Sequence, residues 1–122
     1  MTQTYKLHYD SDIDCVILRV EGTVTLDRIR KLAPEAARLC EQTNCTRLLN
    51  DMSTATLDIS ILDVYQSPAV MRESGITHKI KRALVLPRTF DKSDFIETVT
   101  RNRGHDFKIF IDIHKARQWL LE

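Results

Sequence analysis

Arg47-Leu48-Leu49-Asn50-Asp51-Met52 is a short apolar run with its polar residues toward the ends. It is too short for a helix, and it lies between two longer segments of helical periodicity. A buried strand in that position, entered and left through helices, belongs to a mostly parallel sheet with helices packed against it. The rest of the chain is consistent with that assignment in both directions.

Upstream, Leu26, Ile29, Ala33, Ala36 and Cys40 recur at three and four, and Leu32 and Leu39 widen the stripe. Thr25 is placed to cap this helix, Asp27 suits its first turn, and Thr43-Asn44 ends it. Pro34 inside the segment removes a backbone donor, which predicts a kink or a restart. Before Gly22, Cys15 to Val20 is rich in Val and Ile, and Tyr5, Leu7 and Tyr9 alternate with Lys6, His8 and Asp10. With the turn Ser11-Asp12-Ile13-Asp14 between them, these two strands form a hairpin.

Downstream, Ser53 to Thr56 is a polar loop and Asp58 is the expected N-cap of a second helix. Its predicted apolar face is Ile61, Leu62, Tyr65, Ala69 and Met71; Pro68 threatens its continuity and Ser74-Gly75 stops it. Ile80 to Leu86 is a strand closed by Pro87. Asp91 or Ser93 caps a third helix with Phe95, Ile96 and Val99 inward, and Gly104 ends it. Phe107 to Ile111 is the last strand, and Asp112 caps a short helix carrying Ala116, Trp119 and Leu120 on one face. The order β-β-α-β-α-β-α-β-α defines one α/β domain over residues 1–122, its opening hairpin contributing one antiparallel strand.

The 122 residues suffice for a core without disulfide or metal staples. A net charge of +1 creates no global field to recruit nucleic acid or an anionic membrane. No stretch approaches the roughly 18 apolar residues of a membrane span. Met1 to Asp10 carries charges and alternation where a secretory signal has an apolar run, so the expected compartment is the cytoplasm. Cys15, Cys40 and Cys45 lack the spacing and the histidine pair of a zinc site, and are expected as small buried hydrophobes; neither metal nor cofactor is expected.

Taken together, Gly22-Thr23-Val24-Thr25, Leu49-Asn50-Asp51, Arg82-Ala83-Leu84-Val85, Asn102-Arg103-Gly104, Phe110-Ile111-Asp112 and Ala116-Arg117-Gln118-Trp119-Leu120 resemble the STAS, or SpoIIAA-like, superfamily in order and spacing. The resemblance covers almost the whole chain and is nearest to the small bacterial STAS-domain proteins. It implies a non-catalytic regulatory or protein-interaction domain. In the family's signalling branch, a kinase phosphorylates a serine at the helix start after the third strand, switching binding to an anti-sigma factor. The matching stretch runs from Asp51 to Ser60: Asp51 and Ser53 match a strand-end Asp-x-Ser, and Asp58 with Ser60 approximates an Asp-Ser-Ser. Ile59 replaces the first serine of that motif and Ile61 the following glycine. The resemblance thus marks Asp51, Ser53, Thr54, Asp58 and Ser60 as a candidate phosphorylation or partner-binding loop.

Two further function classes follow from the residues. Tyr65, Met71, Phe90, Phe95 and Phe110 could line a cavity for an apolar ligand or lipid, as in the related CRAL-TRIO carriers, or simply fill the core. Asp51, Asp58 and Asp63 could supply paired carboxylates to an enzyme of unknown type. His8, His78, His105 and His114 are scattered, and no nucleophile elbow or phosphate-cradling glycine loop occurs. His78, Lys79, Lys81 and Arg82, like Arg101 and Arg103, read as a solvated basic strand entry and helix end. A protein partner is therefore preferred over a small apolar ligand, with no nucleic acid and no membrane span, and with the chain a monomer or an edge-paired homodimer.

Overall fold

The computed structural model describes residues 4–122, so the first three residues of the Met1–Asp10 segment lie outside the described residues. Its elements are β1 (Tyr5–Asp10), β2 (Cys15–Val20), β3 (Thr23–Val24), α1 (Leu26–Thr43), β4 (Arg47–Asp51), β5 (Thr56–Leu57), α2 (Ile61–Glu73), β6 (Lys81–Val85), α3 (Ser93–Asn102), β7 (Phe107–Phe110) and α4 (Ile113–Leu120). A five-stranded sheet runs in the order β1-β2-β4-β6-β7. Among the described residues only the β1–β2 pair is antiparallel, which is the mostly parallel architecture expected of the sequence.

The strand order dictates where the helices go. From β2 to β7 the chain adds parallel strands always on the same side, and right-handed crossovers then place every connecting helix on one face. Accordingly α1, α2 and α3 cover the face carrying Val16, Leu18, Leu48, Leu84 and Phe107. The opposite face, Ile17, Leu49, Ala83 and Val85, is covered by α4 through Ala116 and Leu120. The central strands are thus buried on both sides, which is why their sequences read as continuous runs instead of alternating.

A second sheet of two short strands, β3 and β5, has no counterpart in the sequence patterning. It pairs Thr23-Val24 with Thr56-Leu57 in parallel, and the amides of Thr56 and Asp58 donate to the carbonyls of Gly22 and Val24 at 2.8 Å each. Two-residue strands carry no detectable period, so only the tertiary approach of the two loops reveals them.

Several helix ends depart from expectation. α1 runs unbroken through Pro34, with no restart, because Leu32, Ala33 and Ala36 are buried on either side of the missing bond. α2 likewise continues through Pro68, which is itself buried. Asp58 does not cap α2. Ser60 does: its hydroxyl accepts from the Asp63 amide at 3.1 Å, while the Asp63 carboxylate accepts from the Ser60 amide at 2.9 Å. This reciprocal pair satisfies two N-terminal donors at once, whereas Asp58 is held upstream by β5 pairing. α3 has no side-chain cap at Asp91 or Ser93, because Lys92 takes the cap position and the Ser93 hydroxyl turns back toward the Phe90 carbonyl. Thr25 and Asp112 cap α1 and α4 as expected.

Gly75 closes α2 at φ +100°, and the Ile76 amide bonds back to Met71 so that Ile76 enters the core. A Cβ at Gly75 would lie 3.1 Å from Ala37 Cβ on α1. Gly75→Ala should therefore cost about 1–3 kcal/mol, read as a lower urea midpoint at unchanged slope. The same titration separates the two cap candidates: Ser60→Ala should cost about 1 kcal/mol, and Asp58→Ala should stay within about 0.5 kcal/mol.

Candidate functional site

The loop after β4 begins at a buried carboxylate. Asp51 Oδ1 accepts from the Ser53 hydroxyl at 2.7 Å and from the Ser53 amide at 3.1 Å, a compact turn that lifts Ser53 and Thr54 into solvent. β5 then anchors the chain against β3, Asp58 stands exposed, and the chain enters α2 at exposed Ser60. Asp51 and Ser53 are thus brought into contact, and Ser60 is paired with Asp63. The carboxylates of Asp51, Asp58 and Asp63 do not act together, since Asp51 holds the turn and Asp63 closes the helix cap.

Of the α2 face expected to be inward, Ile61, Leu62 and Tyr65 point outward, whereas Met71 is buried and Ala69 half-buried. Ile61, Leu62 and Tyr65 are 59%, 64% and 50% exposed, while Val64, Pro68, Val70 and Met71 are buried. This helix carries apolar residues on both sides, so its periodicity does not say which side meets the sheet. The Tyr65 ring meets Phe95 of α3 edge-on, with centroids 5.2 Å apart. This leaves an apolar patch on the N-terminal half of α2, adjoining exposed Asp58 and Ser60 along the chain.

The basic run divides in two. His78 and Lys79 are exposed, as expected of a solvated strand entry. Lys81 is half-buried and Arg82 is buried. The Lys81 ammonium donates to the Trp119 carbonyl at 2.6 Å and lies over the Trp119 ring, pinning α4. Arg82 points to the face covered by α1, α2 and α3, is 7% exposed, and has its guanidinium over the Phe107 ring at 4.5 Å from the centroid. Burial lowers its pKa to about 10, which leaves it charged at neutral pH. Its Nε is sealed from solvent with no acceptor, and it forms no salt bridge among the described residues. His105, also buried, is held below its usual pKa by desolvation and by the charges of Arg82, Arg72 and His78.

Asn50 is the second buried polar group on this face. It is 4% exposed, lies between Leu18 and Leu84 of the neighbouring strands, and its Oδ1 has no donor. Arg82 pairs with Leu48 and Asn50 with Leu84, so the two sit diagonally across adjacent strands with their side chains on one face. An orphaned buried donor or acceptor costs about 1–3 kcal/mol, more when charged. Both groups line a cavity of about 70 Å³ beneath α2 and α3, otherwise walled mainly by apolar side chains such as Ile59, Val64, Met71 and Ile96.

Of the residues expected to line an apolar pocket, only Met71 does so. Tyr65 is exposed, and Phe110 packs on Trp119 across the sheet with centroids 5.9 Å apart. The cavity is several times smaller than the roughly 300–1,000 Å³ of common ligand pockets, which leaves no room for a lipid chain. Cys15, Cys40 and Cys45 are buried free thiols, and burial pushes Cys15 and Cys40 up to about 12. Among the described residues, no helix is long and apolar enough to cross a membrane.

No protein-family model matches the chain, and no curated protein matches it in sequence. Among solved structures it is similar to an uncharacterized protein of the DUF3478 family, with a SpoIIAA-like fold, from Shewanella loihica PV-4. The TM-score is 0.58 at 17% identity, covering 97% of this chain and 93% of that one. It also aligns with the anti-sigma factor antagonist SpoIIAA in its unphosphorylated form, at TM-score 0.42 and 15% identity over 83% of this chain and 99% of that one. The Bacillus cell fate determinant SpoIIAA in its phosphorylated form aligns at TM-score 0.44 and 12% identity over 95% and 99%. These last two superpose too loosely to bear on the chemistry of this chain. On its sheet order, its helix placement and the first of these similarities, the chain has a SpoIIAA-like fold.

Proposed function

We propose that this chain is a non-catalytic regulatory domain that docks a protein partner on the N-terminal half of α2, with residues 53–60 as the polar rim. The observation that supports this is the outward exposure of Ile61, Leu62 and Tyr65 beside that loop. Three large apolar side chains on one helical turn, bordered by hydroxyls and carboxylates, have the composition of an interaction surface. Tyr65 contributes rigid contact area at low entropic cost, braced by Phe95.

In this proposal, phosphorylation at Ser53, Thr54 or Ser60 would place charge next to the patch and so tune docking. Ser60 is the most consequential of the three. A phosphate there would meet the free N–H groups of the first turn of α2. It would also displace the reciprocal bonds with Asp63 and face that carboxylate, loosening the helix start.

The test uses Ile61→Asp combined with Leu62→Asp. Both positions are exposed, so thermal stability should change by no more than about 0.5 kcal/mol per site. A partner crosslinked in the source cells should map to α2 and should be lost from the double variant. A partner retained by the variant, with crosslinks elsewhere, would remove this face from consideration.

A further inference from the structure

We propose that the cavity beneath α2 and α3 is a binding site for a short-chain hydroxycarboxylate, its carboxylate on Arg82 and its hydroxyl on Asn50. This site is independent of which partner covers α2.

The cavity presents two unmet hydrogen-bonding groups of opposite kind. Arg82 Nε needs an acceptor and Asn50 Oδ1 needs a donor. The Phe107 ring engages the guanidinium through its π system but cannot supply the acceptor that Nε lacks. Nor can the sheet help Asn50, whose strand neighbours on either side are Leu18 and Leu84. The two groups do not bond each other: their registers place them diagonally on one face, about 7–8 Å apart at the backbone, and neither Arg82 Nε nor Asn50 Oδ1 has a partner. A molecule that bridges them needs an acceptor for Arg82 Nε and a donor for Asn50 Oδ1, and an anionic acceptor also answers the charge of the guanidinium. A carboxylate is the natural partner of a guanidinium fork.

Size and lining set the rest of the ligand. A cavity of about 70 Å³ is roughly half of one that holds benzene, which limits the occupant to about three or four carbons. Ile59, Val64, Met71 and Ile96 favour an aliphatic body over a second charge. Asp63 also lines the cavity; its carboxylate is held by the Ser60 amide, repels any anion, and does so most for polyanions such as phosphorylated metabolites, which leaves the ligand's single carboxylate to Arg82.

The experiment titrates the full chain with lactate, following the Arg82 Nε–Hε and Asn50 side-chain amide resonances by NMR. Saturable shifts at both groups are expected. Propionate, which lacks the hydroxyl donor, should bind roughly fivefold more weakly, and lactamide, which lacks the charge, at least about tenfold more weakly. Arg82→Met should abolish binding with little change in melting temperature, because the buried guanidinium has no salt bridge among the described residues and an apolar side chain of similar volume can keep packing on Phe107. Asn50→Leu should lower lactate affinity to that of propionate, which keeps the test informative if the Arg82 variant does not fold. No saturable shift up to about 50 mM lactate, equal affinity for all three compounds, or unchanged binding by Arg82→Met would each overturn the proposal.

Discussion

Burial of β4 and β6 on both faces governs the composition and the packing of everything around them. A strand covered on both sides has no solvent face, so nearly every residue along it must be apolar or find a partner. Leu48, Leu49, Ala83, Leu84 and Val85 meet that condition by composition. Three helices on one face follow from the handedness of the crossovers, and α4 returns across the second face, where Ala116 and Leu120 cover Ile17, Leu49, Ala83 and Val85. Lys81 secures that return with its bond to the Trp119 carbonyl, and Arg47 adds another to the Leu120 carbonyl.

Asn50 and Arg82 break the condition, and they break it on the same face. A polar side chain in a doubly covered strand normally marks either a satisfied network or a site. Here the network is incomplete on the protein side. Stability alone would favour leucine and methionine at these two positions, so their presence in the middle of the sheet directs attention to the cavity they border. A local breach of good packing in an otherwise consistent sequence is where function is sought first.

A second departure lies on α2. Its inward side needs only Val64, Pro68 and Met71 to reach the sheet, yet Ile61, Leu62 and Tyr65 remain apolar on the outside. The reciprocal Ser60–Asp63 cap fixes where the helix begins, and the β3–β5 pairing fixes how the preceding loop arrives. Together they hold the apolar turn and its hydroxyl-bearing rim in one orientation. The cavity opens beneath the same helix, so both candidate sites depend on the placement of α2 over the sheet.

The order of the main elements, the mostly parallel sheet, and the caps at Thr25 and Asp112 are all legible along the chain. They depend on periodicity and local hydrogen bonding, which are short-range properties. The polar character of Ser53 to Thr56 is legible for the same reason. Which face of α2 is buried is a matter of tertiary packing, because apolar residues on both sides make the helical period ambiguous. Packing also selects the Ser60 cap over Asp58, since β5 pairing holds Asp58 away from the helix start. Arg82 cannot be singled out from Lys79 and Lys81 by reading along the chain. Its burial arises from strand alternation combined with the packing of α2 and α3 above it, a long-range fact that no local window of sequence contains.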